Sequence, residues 1–139
     1  MNATTITKEE IADVQHSYGR CLMNGDVIDT FYNNFLSGST EIAKKFADTD
    51  FEKQHRLLRH GINLMIMYAD GQLAGESGLQ RIKESHSQNK YDIDPHFYEQ
   101  WKRSLIAAIA KHDHKFNDDL KEEWYHVLNT GIEYIKSGY

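Results

Sequence analysis

Pro95 is the only proline in 139 residues, and apolar side chains recur three and four positions apart along nearly every long segment. Together these leave little choice of fold. A chain with one proline and nine glycines lacks the turn residues that an all-β domain needs, and no alternation of period two persists in it. The expected class is all-α, with about six main helices and short connections. No linker, repeat or low-complexity stretch divides the chain, so residues 1–139 are expected to form one domain.

Thr7 and Glu10 have capping-box spacing. Ile11, Val14, Tyr18, Cys21 and Leu22 follow at helical intervals, which predicts a helix from about 8 to 23 ending near Asn24-Gly25. Asp26 can cap a second helix, whose Val27, Phe31, Tyr32, Phe35 and Leu36 make a wide apolar face. Ser37 to Thr40 breaks it, a short turn EIAKKF ends on Phe46, and Ala47 to Asp50 forms a loop with capping residues at its end. Phe51 opens a third long helix, reaching about Tyr68, with Gln54, Leu58, Ile62, Met65 and Ile66 on one stripe. Gly71, Gly75 and Gly78 read as a loose connection. Leu79, Ile82 and His86 then share one face, so His86 closes an apolar stripe near a helix end and points at the core. Beyond the polar connector Ser87 to Lys90, Pro95 opens another long helix. It turns Phe97, Trp101, Leu105, Ala108 and Ile109 inward and ends at His112-Asp113-His114. The last helix carries Phe116, Leu120, Trp124, Val127, Leu128, Ile132 and Ile135 on one face.

Composition narrows the function. A chain 40% hydrophobic and 27% charged is ordinary for a soluble globule, and no apolar run approaches the roughly 20 residues of a membrane span. The net charge of -5 argues, if weakly, against a nucleic-acid partner, since phosphate binding usually draws on a basic face. The N-terminus lacks the basic start and apolar segment of a signal peptide. One cysteine, Cys21, excludes an intramolecular disulfide and suits a reducing cytosol; it reads as a small core residue, and the expected location is cytoplasmic.

Three polar side chains, Tyr32, Gln54 and His86, stand on otherwise apolar faces. A polar group needs a partner when buried, and three converging in one core would be costly without something polar to hold. His112 and His114 do not make a metal pair, because alternate residues on a helix face apart; a solvated helix end is the better reading.

The order and spacing of Tyr32, of Phe46 after EIAKKF, of DFEKQHRLL around Gln54, of KESH ending in His86 and of YDIDPHFYEQW after it resemble the globin family, and within it the bacterial single-domain haemoglobins, from about Lys8 to Tyr134. The resemblance implies a globin fold of six to eight helices around haem b, iron protoporphyrin IX. It implies that His86 ligates the iron and that Phe46 wedges against the haem. Tyr32 and Gln54 take the distal positions, as hydrogen-bond donors to a diatomic ligand. Leu58, Ile62, Ile82, Ile93, Phe97, Trp101 and Leu105 would supply apolar walls. A distal phenol or amide stabilises the partial negative charge of bound dioxygen and does less for carbon monoxide. Ser85 and the carbonyl of Ile82 or Lys83 are candidate partners for the imidazole nitrogen that faces away from the metal. Lys90, Tyr91 and His55 are candidates for the haem propionates. Two readings stay open. Tyr32 could be a core tyrosine bonded to a backbone carbonyl. A rotation of the third long helix by one residue would bring His55, in place of Gln54, closer to the haem.

The resemblance implies reversible binding of dioxygen or another diatomic gas, such as NO or CO, by a monomer or homodimer. The alternatives are a nitric oxide dioxygenase served by an external reductase, since the chain carries no reductase domain, and a haem gas-sensor domain. An all-α interaction module without haem is a different class altogether. In flavohaemoglobins the proximal histidine is linked to a tyrosine after an I-x-P motif and to a glutamate late on the last helix. Ile93-Asp94-Pro95 and Tyr98 match the first part. The glutamate is not where it is expected, Glu133 lying about two turns too early, which puts peroxidase-like activation of the iron in doubt.

Overall fold

The computed structural model describes residues 6–139; the stretch read as lacking a signal peptide begins outside them. The described residues form seven helices: α1 (Lys8–Met23), α2 (Val27–Ser37), α3 (Thr40–Lys45), α4 (Phe51–Ala69), α5 (Leu73–Ser85), α6 (Phe97–His112) and α7 (Asp118–Lys136). No strand occurs among them, and no helix is long and apolar enough to cross a membrane.

The helix starts follow from local chemistry. Thr7 and Glu10 close both halves of a capping box. Asp26, Ser39, Asp50 and Asn117 each accept a hydrogen bond from the amide three residues on. Each satisfies a backbone donor that the helix cannot, a contribution of about 1 kcal/mol. Pro95 stands two residues before α6, where a missing N–H costs nothing.

Packing then follows the apolar faces. α4 lies along α5, α2 along α6, and α7 against α1, α4 and α5. Val14, Phe31, Ile62, Leu79, Leu105 and Trp124 are among the fully buried side chains of one continuous core. Leu22, grouped with the stripe of α1, is instead 47% exposed, and Phe116 precedes α7 rather than lying on it.

Gly75 and Gly78 do not form a loose connection. Both lie inside α5, and only Gly71 sits in the turn, in the left-handed region at φ 79°. The reason is contact distance. A Cβ at Gly75 would stand 2.4 Å from the Tyr68 amide nitrogen, and one at Gly78 would stand 2.4 Å from Leu64 Cδ2. Glycine lets α5 approach α4 this closely, and the packing gained offsets a helix cost of about 1 kcal/mol per glycine. That close crossing sets the course of the helix that ends at His86.

Asp113, read from sequence only as part of a helix end, holds a buried polar cluster. Its side chain has no exposure. It accepts from Ser17 Oγ at 2.6 Å, from Arg20 Nε at 2.6 Å and Nη2 at 3.0 Å, and from the Lys115 amide at 3.0 Å. Ser17 Oγ in turn accepts from Trp124 Nε1 at 2.9 Å. The cluster ties α1 to the end of α6 and to α7.

Candidate functional site

His86 is the residue that caps the C-terminus of α5, and its amide donates to the Ile82 carbonyl at 2.9 Å. Leu79 and Ile82, on the same face, turn that side of the helix inward. The chain then folds back over the helix end. The amides of Tyr91, Asp92 and Ile93 donate to the carbonyls of Ser85, Ser87 and His86 at 3.0, 2.9 and 3.2 Å. Asp92 makes the bend with φ 51°, and its carboxylate accepts from the Tyr139 hydroxyl at 2.7 Å. This strap keeps Ile93 beside His86.

The imidazole is largely buried, and burial holds its pKa below the usual histidine value against the opposing pull of the Ile82 carbonyl. The ring is therefore neutral at pH 7. Ser85 Oγ lies 2.9 Å from Nδ1 and 2.9 Å from the Ile82 carbonyl. The hydroxyl gives its one proton to the carbonyl, so Nδ1 carries a hydrogen and the Ser85 oxygen accepts it. Nε2 keeps its lone pair and has no hydrogen-bond partner among the described residues. The Tyr98 ring stacks on the imidazole, with centroids 6.4 Å apart and planes at 25°.

Tyr32, buried on α2, is surrounded by rings. Phe31, Phe51 and Phe46 meet it edge to face at 4.9, 5.6 and 6.1 Å, and His55 stacks flat on it at 5.2 Å with planes 9° apart. Its hydroxyl donates to the Gln54 backbone carbonyl at 3.4 Å. Burial pushes the phenol up to about 12, against that hydrogen bond, so it stays protonated as a donor. Gln54 is half-buried, and its side-chain amide makes no hydrogen bond among the described residues. Gln54 thus meets Tyr32 through its carbonyl and His55 meets it through its ring. His55 Nε2 is 3.4 Å from Asp29 Oδ1. Asp29 was not singled out in the sequence; its spacing of three from Tyr32, which sets both on one side of α2, is a signal that could have found it.

Of the expected cofactor contacts, Leu58 and Phe97 are buried, whereas Phe46, Ile82, Ile93 and Trp101 are half-buried against the core. Phe46 caps α3 and packs on Tyr32, Phe35 and Phe51. Trp101 meets Phe31 edge to face at 5.9 Å. Ile82 reaches across to α4, where a Cβ at Gly61 would lie 4.0 Å from its Cδ1. Lys90 and Tyr91 are exposed.

A model of the globin family matches residues 29–135. The chain belongs to the globin family. Among solved structures, a protein of Pseudomonas aeruginosa PAO1, described as structurally highly homologous to a human haemoglobin, is 39% identical to it. That likeness has a TM-score of 0.90 and covers 94% of this chain and 98% of that one. No curated protein matches the chain. The all-α globin fold expected from the sequence is the fold observed. The residues present also fit haem. A largely enclosed imidazole with a fixed tautomer, and an Nε2 unpartnered among the described residues, has the chemistry of an axial ligand. The half-buried Phe46, Ile82, Ile93 and Trp101 leave apolar surface for a large apolar ring to cover.

Proposed function

We propose that this globin, as one domain spanning residues 1–139, binds haem b through His86 and reversibly takes a diatomic gas, dioxygen first among them. The observation that carries this reading is the largely enclosed imidazole of His86, with Nδ1 held by Ser85 and Nε2 without a hydrogen-bond partner among the described residues. When bound, haem would supply an iron centre with affinity for diatomic gases, and His86 would hold it. The chain does the rest. Ser85 and the Ile82 carbonyl orient the imidazole. Phe46, Leu58, Ile82, Ile93, Phe97 and Trp101 exclude water. Tyr32 supplies an O–H donor to the gas, with Gln54 as a second donor. A hydroxyl engaged only at 3.4 Å gives up that contact at little cost. A cytoplasmic location, as monomer or homodimer, goes with this reading and with the lone free thiol of Cys21.

Haem uptake tests the proposal. The protein reconstituted with haem should show a Soret band that shifts reversibly between air and inert gas. Failure to bind haem would end the reading. Nitric oxide dioxygenation with an external reductase is the second reading, and the observation that favours it is the Tyr98 ring stacked on His86. Nitrate formation from NO under air, with a reductase supplied, tests it; turnover no faster than that of free haem would exclude it.

A further inference from the structure

The Tyr32 hydroxyl is not held by its own hydrogen bond. Its 3.4 Å contact with the Gln54 carbonyl is longer than the roughly 2.5–3.0 Å of a good O–H···O bond. Rings hold the phenol instead. Phe31, Phe46 and Phe51 stand steeply to it, at interplanar angles of 74°, 63° and 76°. His55 presents a flat face, 9° from parallel.

The histidine differs from the phenylalanines in a second way. Its ring nitrogen lies near a carboxylate at the rim of the fold. Its side chain is 22% exposed, and its Nε2 lies 3.4 Å from Asp29 Oδ1. One carboxylate oxygen each of Asp26 and Asp29 and one ring nitrogen of His55 all lie within 4.8 Å of one another. Asp29 and Tyr32 both belong to α2, whereas His55 belongs to α4. So α2 flanks the imidazole on two sides, with Asp29 near its nitrogen and Tyr32 on its face. A phenol with three steep rings around it and one parallel ring against it can lean only if one of those neighbours moves.

The geometry points to His55 as the positioning residue of the distal tyrosine: its imidazole plane, with Asp29 beside its nitrogen, sets the direction in which the Tyr32 hydroxyl points. This rests on the donor role proposed above for Tyr32. It assigns control of that donor to the ring of His55 rather than to the side chain of Gln54.

The haem-loaded protein tests it by two readouts, the infrared stretch of bound carbon monoxide and the rate of dioxygen release. His55→Ala should broaden or split the infrared band and speed release roughly threefold to tenfold, as an orientated donor becomes a loose one. His55→Phe keeps a flat ring and should restore a single band and a rate within about twofold of wild type. Asp29→Asn weakens only the contact beside the ring, at an exposed position, and should fall between the two. A wild-type band and rate in His55→Ala, with both changed in Tyr32→Phe, overturns the positioning role and leaves the distal tyrosine standing. No change in Tyr32→Phe overturns the distal reading, and this inference with it. Equal losses in His55→Phe and His55→Ala would credit the polar atoms of the imidazole and overturn the stack. Should His55→Ala fail to fold, a wild-type band and rate in Asp29→Asn overturns the positioning role.

Discussion

Ser85 Oγ stands 2.9 Å from Nδ1 of His86 and 2.9 Å from the carbonyl of Ile82. One hydroxyl thus settles the tautomer of the imidazole and is itself fixed by the helix it ends. Were His86 to ligate a metal as proposed, the partner that such a histidine usually finds in a carboxylate or carbonyl would be the residue next to it in sequence.

His86→Ala is expected to abolish axial imidazole ligation, and added imidazole is expected to restore it. Absorption spectra identical to wild type would remove His86 from the site. Ser85→Ala should be milder, with haem passing to an acceptor protein roughly tenfold faster as the ring loses its orientation.

Tyr32→Phe removes a hydroxyl and keeps the ring. A hydrogen bond to a partly charged ligand contributes about 1.5–3 kcal/mol, so dioxygen should leave roughly tenfold to a hundredfold faster, measured by stopped flow. Gln54→Leu should have the smaller effect, and carbon monoxide release should change little in either. A rate within about twofold of wild type in Tyr32→Phe would make this residue a structural tyrosine.

Asp113 links folding to pH. Burial alone would raise its pKa, but hydrogen bonds from Arg20, Ser17 and the Lys115 amide reverse this and bring it down to about 2. A carboxylate whose folded pKa is depressed stabilises the fold above its unfolded value near 4. That stability is lost as pH falls from there through about 2, and it amounts to roughly 2 kcal/mol. Asp113→Asn should cost about 3 kcal/mol at pH 7, because it leaves Arg20 without its counter-charge. Urea midpoints at pH 7 and pH 3 check both: the wild type should lose more on acidification than the variant.

Gly75→Ala should destabilise more than Gly78→Ala. The first Cβ meets the backbone of Tyr68 and Met67, which cannot yield, whereas the second meets the Leu64 side chain, which can turn. A loss of roughly 2 kcal/mol is expected for Gly75→Ala, several degrees in Tm. Equal melting of the two variants would show that the helix crossing tolerates a methyl group.

Removing haem should lower Tm, since a ligand that binds only the folded chain stabilises it by mass action. Calorimetry of the protein with and without haem checks this, and equal midpoints would place haem outside the folded core.

Much of the frame was legible because it is local. The Thr7–Glu10 box, the Asp26 cap, the break before α3 and the face shared by Leu79, Ile82 and His86 depend on spacings of a few residues, and the helices began where those signals stood. Ser85 was already a candidate partner of His86, being its neighbour. Glycine was the misleading signal. Near a helix end it marks flexibility, but at Gly75 and Gly78 it marks two backbones in contact, and spacing along one strand of chain cannot tell these apart.

The sequence by itself determined the all-α class, the helix starts, the inward faces and the globin family. Periodicity and capping are properties of single helices. Only the tertiary structure decided that Tyr32 would meet Gln54 by a carbonyl and His55 by a ring, 22 and 23 positions along the chain. It alone brought Ser17 under Trp124, 107 positions away, and Asp113 between Ser17 and Arg20. These pairings depend on how closely and at what rotation two helices cross. That is set by the balance of packing over the whole core, a sum to which no single stretch of sequence holds all the terms.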